Sequence, residues 1–97
     1  MSVPPNEIIY EKDFRNDVDD LPKKVQNKLS RLIEILRENP FDPRLHTKRL
    51  GSPLQVAFSF RITRDYRVGF IFLDSRIIKL LAADTRDNIY RRLLRKL

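Results

Sequence analysis

Two arginines close together in one stretch are the first feature of this sequence that suggests chemistry. Arg61 and Arg67 stand in V-A-F-S-F-R-I-T-R-D-Y-R-V-G-F-I-F, which runs from Val56 to Phe72. If this stretch is a hairpin whose Phe-rich sides line up, both arginines lie on the other face of neighbouring strands. Small residues share that face: Ala57, Ser59 and Gly69. Two fixed guanidiniums above small residues make a shallow cationic hollow, and paired arginine N–H groups suit phosphate oxygens.

The same stretch has the alternation of a β-hairpin. The apolar side chains of the first strand fall at every second position, at Leu54, Val56, Phe58, Phe60 and Ile62. The positions between them are Gln55, Ala57, Ser59, Arg61 and Thr63. Alternate side chains of a strand point to opposite faces, so the pattern predicts one core face and one polar face. After a polar turn, Tyr66, Val68, Phe70 and Phe72 repeat the pattern.

Two helices are predicted before the hairpin. A short strand is expected at Glu7 to Glu11, followed by a helix that opens near Asp13. The second helix, Lys23 to Glu38, carries an apolar stripe at Val25, Leu29, Leu32, Ile33 and Leu36. It should stop at Asn39-Pro40, because the residue before proline is pushed out of the helical region.

A strand and a helix are predicted after the hairpin. Arg76 to Ala83 is almost continuously apolar, as in an internal strand that is covered on both faces. Asp84 to Leu97 predicts a final helix with basic residues at its end. The order β-α-α-β-β-β-α predicts one α+β domain over residues 1–97. It would be an antiparallel sheet of about four strands with an N-terminal helical hairpin packed on one face and a short C-terminal helix.

Composition argues against several other kinds of site. With no cysteine and a single histidine, the sequence has no thiolate metal site and is a poor match for a zinc or iron centre. The start lacks a secretory signal, and no apolar run approaches the ~20 residues that span a bilayer. We therefore expect a cytoplasmic protein with no membrane association, no metal and no small-molecule cofactor.

The positive charge is concentrated in one half of the chain. The net charge is +7, but residues 43–97 carry 13 basic and 4 acidic side chains, against 7 and 9 in residues 1–42. Such a half suggests a polyanionic partner: nucleic acid, an anionic membrane surface or an acidic protein. A solvated basic surface is the alternative.

Several segments, all in register, resemble the RelE/ParE toxin superfamily of bacterial and archaeal toxin–antitoxin systems. They are F-x-x-D-V-x-x-L-P after the first strand, E-N-P at the end of the long helix, H-T-K-R-L-G, S-F-R-I-T-R-D-Y-R-V-G-F, and the terminal T-R-D-N-I-Y-R-R. The resemblance covers nearly the whole chain.

The resemblance implies two different activities. RelE-like members are ribosome-dependent endoribonucleases that cut mRNA in the decoding site, whereas ParE-like members lack nuclease activity and inhibit DNA gyrase. Antitoxins usually wrap these toxins with an extended, often helical segment. The resemblance therefore implies a cognate antitoxin as partner and, on the favoured RelE-like branch, the ribosome and mRNA, with contacts to rRNA. A ParE-like gyrase inhibitor, or a degenerate toxin that retains only antitoxin binding, remains the alternative.

The sequence departs from the superfamily where several nuclease members carry histidine or glutamate. Lys48 stands at the loop position before the second strand, and Asp84-Thr85-Arg86 replaces the frequent glycine-histidine-arginine. An imidazole base is therefore absent from both usual places. RelE is similar in this respect, since it works with lysine, arginine and tyrosine.

Five residues form the candidate catalytic set. RNA cleavage without a metal requires deprotonation of a 2′-hydroxyl, attack on the adjacent phosphate and protonation of the leaving 5′-oxygen. Arg67 is the candidate that stabilises the charge growing on the phosphate, and Arg61 the one that positions it. Lys48 is the candidate base. Arg86 is expected to protonate or stabilise the leaving group, and Tyr90 to orient the nucleophile or stack on a base. For each, an ordinary surface or packing role is the alternative.

Further residues are candidates for contacts around this set. Cationic contacts with rRNA phosphates or an acidic antitoxin add affinity and salt dependence but little sequence choice. The RNA-binding candidates are Arg49, Arg64, Arg91, Arg92, Arg95 and Lys96. The secondary candidates are His46, the only imidazole, and Asp65, which is more typical of turn chemistry.

Overall fold

A computed structural model gives the structure of the protein and describes residues 5–97. The strands are β1 (Glu7–Tyr10), β2 (Lys48–Arg49), β3 (Ala57–Arg61), β4 (Tyr66–Asp74) and β5 (Ile77–Thr85). The helices are α1 (Phe14–Asp19), α2 (Lys23–Glu38) and α3 (Ile89–Lys96), and a single 3₁₀ turn spans Pro43–Leu45. No helix within residues 5–97 has the length and apolar character needed to cross a bilayer.

The helix α2 has the bounds that its sequence pattern predicts. Its stripe is buried at Val25, Leu29, Leu32 and Leu36, and the backbone turns extended at Asn39, with a φ of −152°. The proline after Asn39 explains this end, because it disfavours helical geometry at the residue before it. Helix α1 has 6 residues against 16 in α2, and Leu21 is buried just beyond the end of α1.

The α+β class is confirmed, but the sheet differs from the prediction in two ways. It has five strands in the order β1-β5-β4-β3-β2, because the two-residue strand β2 pairs with β3. It is also mixed: β1 is parallel to β5, and every other pair is antiparallel. The helical hairpin between β1 and the rest of the sheet provides the long connection that a parallel neighbour requires.

One face of the sheet packs against α1 and α2. The Phe-rich parity of the hairpin supplies this core through Phe60, Val68 and Phe70, which meet the stripe of α2. Val56 was predicted on the same core face, but it is 61% exposed. The reason is that β3 begins only at Ala57, so Val56 lies in the irregular segment before the strand.

The other face of the sheet is covered by α3. Ile89 and Leu93 of this helix pack with Leu81, Ala82 and Ala57 in a second core. The prediction of a polar face here is wrong, since Ala57 and Ser59 are both buried. Small residues line this face because a helix lies directly on it.

The closest approach of helix and sheet is at Gly69. A methyl group built on Gly69 would lie 2.5 Å from a terminal carbon of Leu93, which is itself fully buried. The predicted hollow above Ala57, Ser59 and Gly69 is therefore filled at Gly69 by Leu93. The two arginines lie beyond the filled part, towards the hairpin turn.

The last helix begins later than predicted. Asp84 and Thr85 belong to β5, where they pair with Arg67 and Tyr66, and α3 starts only at Ile89. The two strand residues extend the β4–β5 pairing as far as the hairpin turn.

Replacing Gly69 with alanine is expected to destabilise the protein by about 1–3 kcal/mol, because the methyl group and Leu93 compete for one space in a close-packed core. The same change should cost much less in a Leu93→Ala background. Denaturant unfolding of the wild type, both single variants and the double variant measures this difference.

Gly51→Ala is the matched control, since no atom lies within 4 Å of a methyl group built there. Neither glycine has a positive φ, so backbone conformation does not distinguish the two. An equal loss of stability from Gly69→Ala in both backgrounds would contradict the contact with Leu93.

Candidate active site

Three charged side chains stand side by side across the centre of the sheet. Arg61 on β3 is the cross-strand partner of Arg67 on β4, and Arg67 is in turn the partner of Asp84 on β5. Cross-strand partners project from the same face, and like charges directly opposite one another are destabilising. The predicted placement of Arg61 and Arg67 on neighbouring strands is therefore observed, at an electrostatic cost to the fold.

Arg67 is held by the backbone of the hairpin turn. One of its terminal nitrogens, Nη1, donates to the carbonyl oxygens of Thr63 at 2.8 Å, Arg64 at 3.0 Å and Tyr66 at 3.3 Å. Within residues 5–97, no carboxylate oxygen lies within ion-pair distance of this guanidinium. The carbonyls fix the orientation of the side chain but leave its charge unneutralised.

The surroundings of Arg67 disfavour the positive charge of its own guanidinium. Burial lowers the pKa of Arg67, and the nearby charges of Arg61 and Arg86 lower it further. Tyr90 and Asp65 act in the opposite direction, but the net shift is downward. An arginine stays protonated near neutral pH, so the arrangement is a concentrated positive charge that an anion would relieve.

Arg86 is brought to this place by a backbone contact. Its N–H donates to the carbonyl oxygen of Asp65 at 2.8 Å, which ties the connection between β5 and α3 to the hairpin turn. The side chain of Arg86 is exposed. We call Arg61, Arg67 and Arg86 the arginine cluster.

Lys48 and Tyr90 meet beside the cluster. Lys48 on β2 pairs with Ser59 on β3, and its ammonium lies 6.0 Å from the centre of the Tyr90 ring. The ring is half-buried against the second core, so Tyr90 has the packing role given above as the alternative, together with a contact to a cation. The five predicted catalytic residues therefore gather on one side of the sheet.

Two of the predicted RNA-binding residues are engaged elsewhere. Arg92 donates to Asp17 at 2.7 Å and to Asp84 at 3.0 Å, and Lys96 donates to Glu11 at 2.6 Å. Lys96 also lowers the pKa of Glu11 by this hydrogen bond. These cations bind carboxylates of the same chain rather than face outward as free charges.

The other predicted residues lie at the periphery. Arg49 is on the opposite face from Lys48, where its guanidinium lies 5.9 Å from the centre of the Phe58 ring and its Nε donates to Gln55. His46 is exposed and closes the 3₁₀ turn with a left-handed φ of 51°. Exposed residues also include Arg64 and Asp65 in the hairpin turn, and Arg91 and Arg95 on α3.

Two acidic residues near the cluster were missed as site residues. Asp84 was noted only as part of a departure from the superfamily pattern, and Asp17 only as the acidic position of the segment F-x-x-D-V-x-x-L-P. Asp17 is buried, and its carboxylate accepts the N–H of Ala83 on the free part of the β5 edge at 3.0 Å. For Asp84, the available signal was its place directly after the apolar run Arg76 to Ala83, which follows a predicted strand that carries Arg67.

The chemistry open to the site is that of its cations. Among the described residues, no group of three or more His, Cys, Asp or Glu side chains is arranged to hold a metal ion. A cavity of about 510 Å³ lies elsewhere, between β1, α1 and α2, and none of the predicted site residues lines it. The arginine cluster is an open surface suited to phosphate groups rather than an enclosed pocket.

The fold of this chain is similar to that of several solved toxins from toxin–antitoxin systems and their relatives. The RelBE2 toxin–antitoxin complex from Mycobacterium tuberculosis matches with a TM-score of 0.70 and 24% identity, over 84% of this chain and 99% of that chain. YafQ from E. coli matches with a TM-score of 0.72 and 20% identity, over 88% and 98%. A YoeB/ParE toxin from Agrobacterium tumefaciens matches with a TM-score of 0.71 and 15% identity, over 82% and 98%.

These likenesses are structural. No protein-family model matches the sequence, and no curated protein sequence matches it. The predicted resemblance is confirmed at the level of the fold, which three-dimensional comparison detects at identities where sequence comparison does not.

Inorganic phosphate is expected to bind at the arginine cluster and to shift the NMR signals of Arg61, Arg67 and Arg86 first. Replacing Arg61 with glutamine should weaken this binding by about tenfold, the equivalent of about 1.4 kcal/mol. The reason is the loss of one of the three charges that face the anion.

Arg31→Gln is the matched control because it removes the same charge from an exposed position on α2. If both variants lose affinity equally, phosphate responds only to net charge, and the cluster is not a site.

Proposed function

We propose that this protein is the toxin of a toxin–antitoxin pair and acts as a ribosome-dependent mRNA endoribonuclease. The observation that carries the proposal is the state of Arg67. Three backbone carbonyls orient it, no described carboxylate oxygen lies within ion-pair distance of it, and the charges of Arg61 and Arg86 act on it. This is the preorganised positive charge that a phosphate transition state requires.

The reaction is a transfer of the phosphoryl group within the RNA. The 2′-hydroxyl loses its proton, its oxygen forms a bond to the adjacent phosphorus, and the bond from phosphorus to the 5′-oxygen breaks. The products are a 2′,3′-cyclic phosphate and a 5′-hydroxyl, whose oxygen takes one proton from solvent water in place of the one that the 2′-hydroxyl loses to the base. No metal and no redox step is needed to balance this reaction.

Each residue of the site has one task in this scheme. Arg67 binds the non-bridging oxygens as their charge grows, and Arg61 aligns the phosphate through paired N–H groups. Lys48 is the proposed base that takes the proton from the 2′-hydroxyl. Arg86 stabilises the leaving 5′-oxygen, and Tyr90, which already contacts Lys48, stacks on a base.

The ribosome supplies what this open site lacks. The site has no imidazole and no enclosing pocket, so a free RNA would seldom adopt the in-line geometry for attack. A message held in the decoding site is already ordered, and much of the barrier is removed by such positioning. The excess of basic residues in 43–97 suits docking on rRNA.

The cognate antitoxin is the second proposed partner. The match from Mycobacterium tuberculosis is a complex of toxin and antitoxin, with 99% of the matched chain covered. The same fold in this chain supports a partner that covers it when its activity is not required. Inhibition of DNA gyrase is the competing function, since the site has no imidazole base and one structural match is described as a YoeB/ParE toxin.

The test is mRNA end-mapping by primer extension in a translating extract. The wild-type protein should produce new 5′-ends only on message that ribosomes are translating. Arg67→Ala should lower the cleavage rate by about 10²–10³-fold, the range for loss of one donor to a developing oxyanion. Binding to the antitoxin should be unchanged.

Arg31→Gln is again the control, and it should cleave as the wild type does. If message stays intact while the protein blocks DNA supercoiling by gyrase, the protein is a gyrase inhibitor rather than a nuclease. If the Arg67→Ala protein cleaves at the wild-type rate, the reaction does not take place at this site.

A further inference from the structure

The cross-strand position of Asp84 makes it the natural ion-pair partner of Arg67. The two residues are partners in the β4–β5 ladder, and side chains so placed have Cβ atoms about 4.5–5.5 Å apart. Opposite charges directly across two strands normally attract and pair. Here they do not pair, and Arg67 turns to the carbonyls of the hairpin turn.

The carboxylate of Asp84 is held by other donors. Its Oδ2 accepts a hydrogen bond from Nη1 of Arg92 at 3.0 Å, and its Oδ1 accepts the N–H of Thr85 at 2.7 Å. Both oxygens are therefore engaged, and the charge that would neutralise Arg67 is neutralised by Arg92.

Arg92 is itself fixed by a second carboxylate. Its Nη2 donates to both oxygens of Asp17, at 2.7 and 2.9 Å, and Asp17 is buried. Asp17 is anchored in turn by the N–H of Ala83. The hydrogen bond to Asp17 and then that to Asp84 raise the pKa of Arg92, and burial opposes them. The guanidinium thus lies between two carboxylates, in an orientation set from the edge of the sheet.

We propose that Arg92 is a positioning residue that holds Asp84 away from Arg67 and so keeps Arg67 open to a phosphate group. The proposal rests on the proposed function for its biological use, since the phosphate would be that of the RNA. Its physical content is independent of that function, because any phosphate at Arg67 competes with Asp84 for the same guanidinium.

The variant that tests this role is Arg92→Gln. Glutamine keeps polar contact with Asp17 and Asp84 but removes the charge that binds Asp84. Asp84 is then free to pair with Arg67, and the affinity for inorganic phosphate at Arg67 should fall by about tenfold. Adding Asp84→Asn to this variant should restore affinity to within about twofold of the wild type, since an amide does not neutralise Arg67.

The measurement is an NMR titration with inorganic phosphate that follows the side-chain Nε–H signal of Arg67. Before any phosphate is added, this signal should shift in Arg92→Gln and return in the double variant. Arg31→Gln, which removes the same charge far from the site, should titrate as the wild type does. Thermal unfolding of each protein shows whether it is folded at the temperature of the titration.

The rescue separates positioning from simple damage to the fold. A structural role alone predicts that phosphate binding is lost in both variants, because Asp84→Asn rebuilds no contact with Arg92. That result, or wild-type affinity in Arg92→Gln, overturns the proposal. If Arg92→Gln does not fold, Asp17→Asn with Arg92→Gln replaces it, since the two amides can hydrogen bond where the ion pair stood.

The titration and the cleavage assay fail in different ways. If the variants show the expected changes in phosphate affinity but the protein cuts no message, the role of Arg92 stands and the nuclease proposal is wrong. If phosphate does not shift the Arg67 signal of the wild-type protein, both the role of Arg92 and the nuclease proposal are wrong.

Discussion

The contact between Leu93 and Gly69 is the constraint on which the rest of the molecule depends. A sheet with helices on one face leaves the other face to water, and here a helix of only eight residues covers that face. It can do so because Gly69 has no side chain and Leu93 fills the space. The docking of α3 determines where Tyr90 and Arg92 lie. The second core and the candidate functional surface are therefore both built by the approach of α3 to β4.

The arginine cluster is maintained against its own repulsion. Arg61 and Arg67 face one another across two strands, and Arg86 is held near them by its backbone. Local rules of stability favour opposite charges at such positions, and natural proteins depart from those rules mainly at functional sites. Backbone carbonyls hold the side chain of Arg67, and Arg86 is tied to the hairpin turn by its own N–H, whereas Arg61 is an exposed side chain on β3.

Much of this was predictable from the sequence, and the rest was not, for physical reasons. Alternation placed Arg61 and Arg67 together, and helical periodicity gave α2, because both patterns are local. The burial of Ser59 escaped prediction because small residues look alike whether they face water or a close helix. The parallel pairing of β1 with β5 and the contact of Arg92 with Asp17 join distant parts of the chain, and no local pattern records the partner.

The contact of α3 with the first helix also fixes when the native state can exist. Arg92 binds Asp17 and Lys96 binds Glu11, so α3 contacts residues that lie 75 and 85 positions earlier in the chain. Native contacts that join segments far apart in sequence form only after the intervening chain has been made. A nascent chain in which α3 is still inside the ribosome lacks Leu93 on the sheet and Tyr90 beside Lys48. The charged surface is therefore assembled only after α3 has left the ribosome and packed on the sheet.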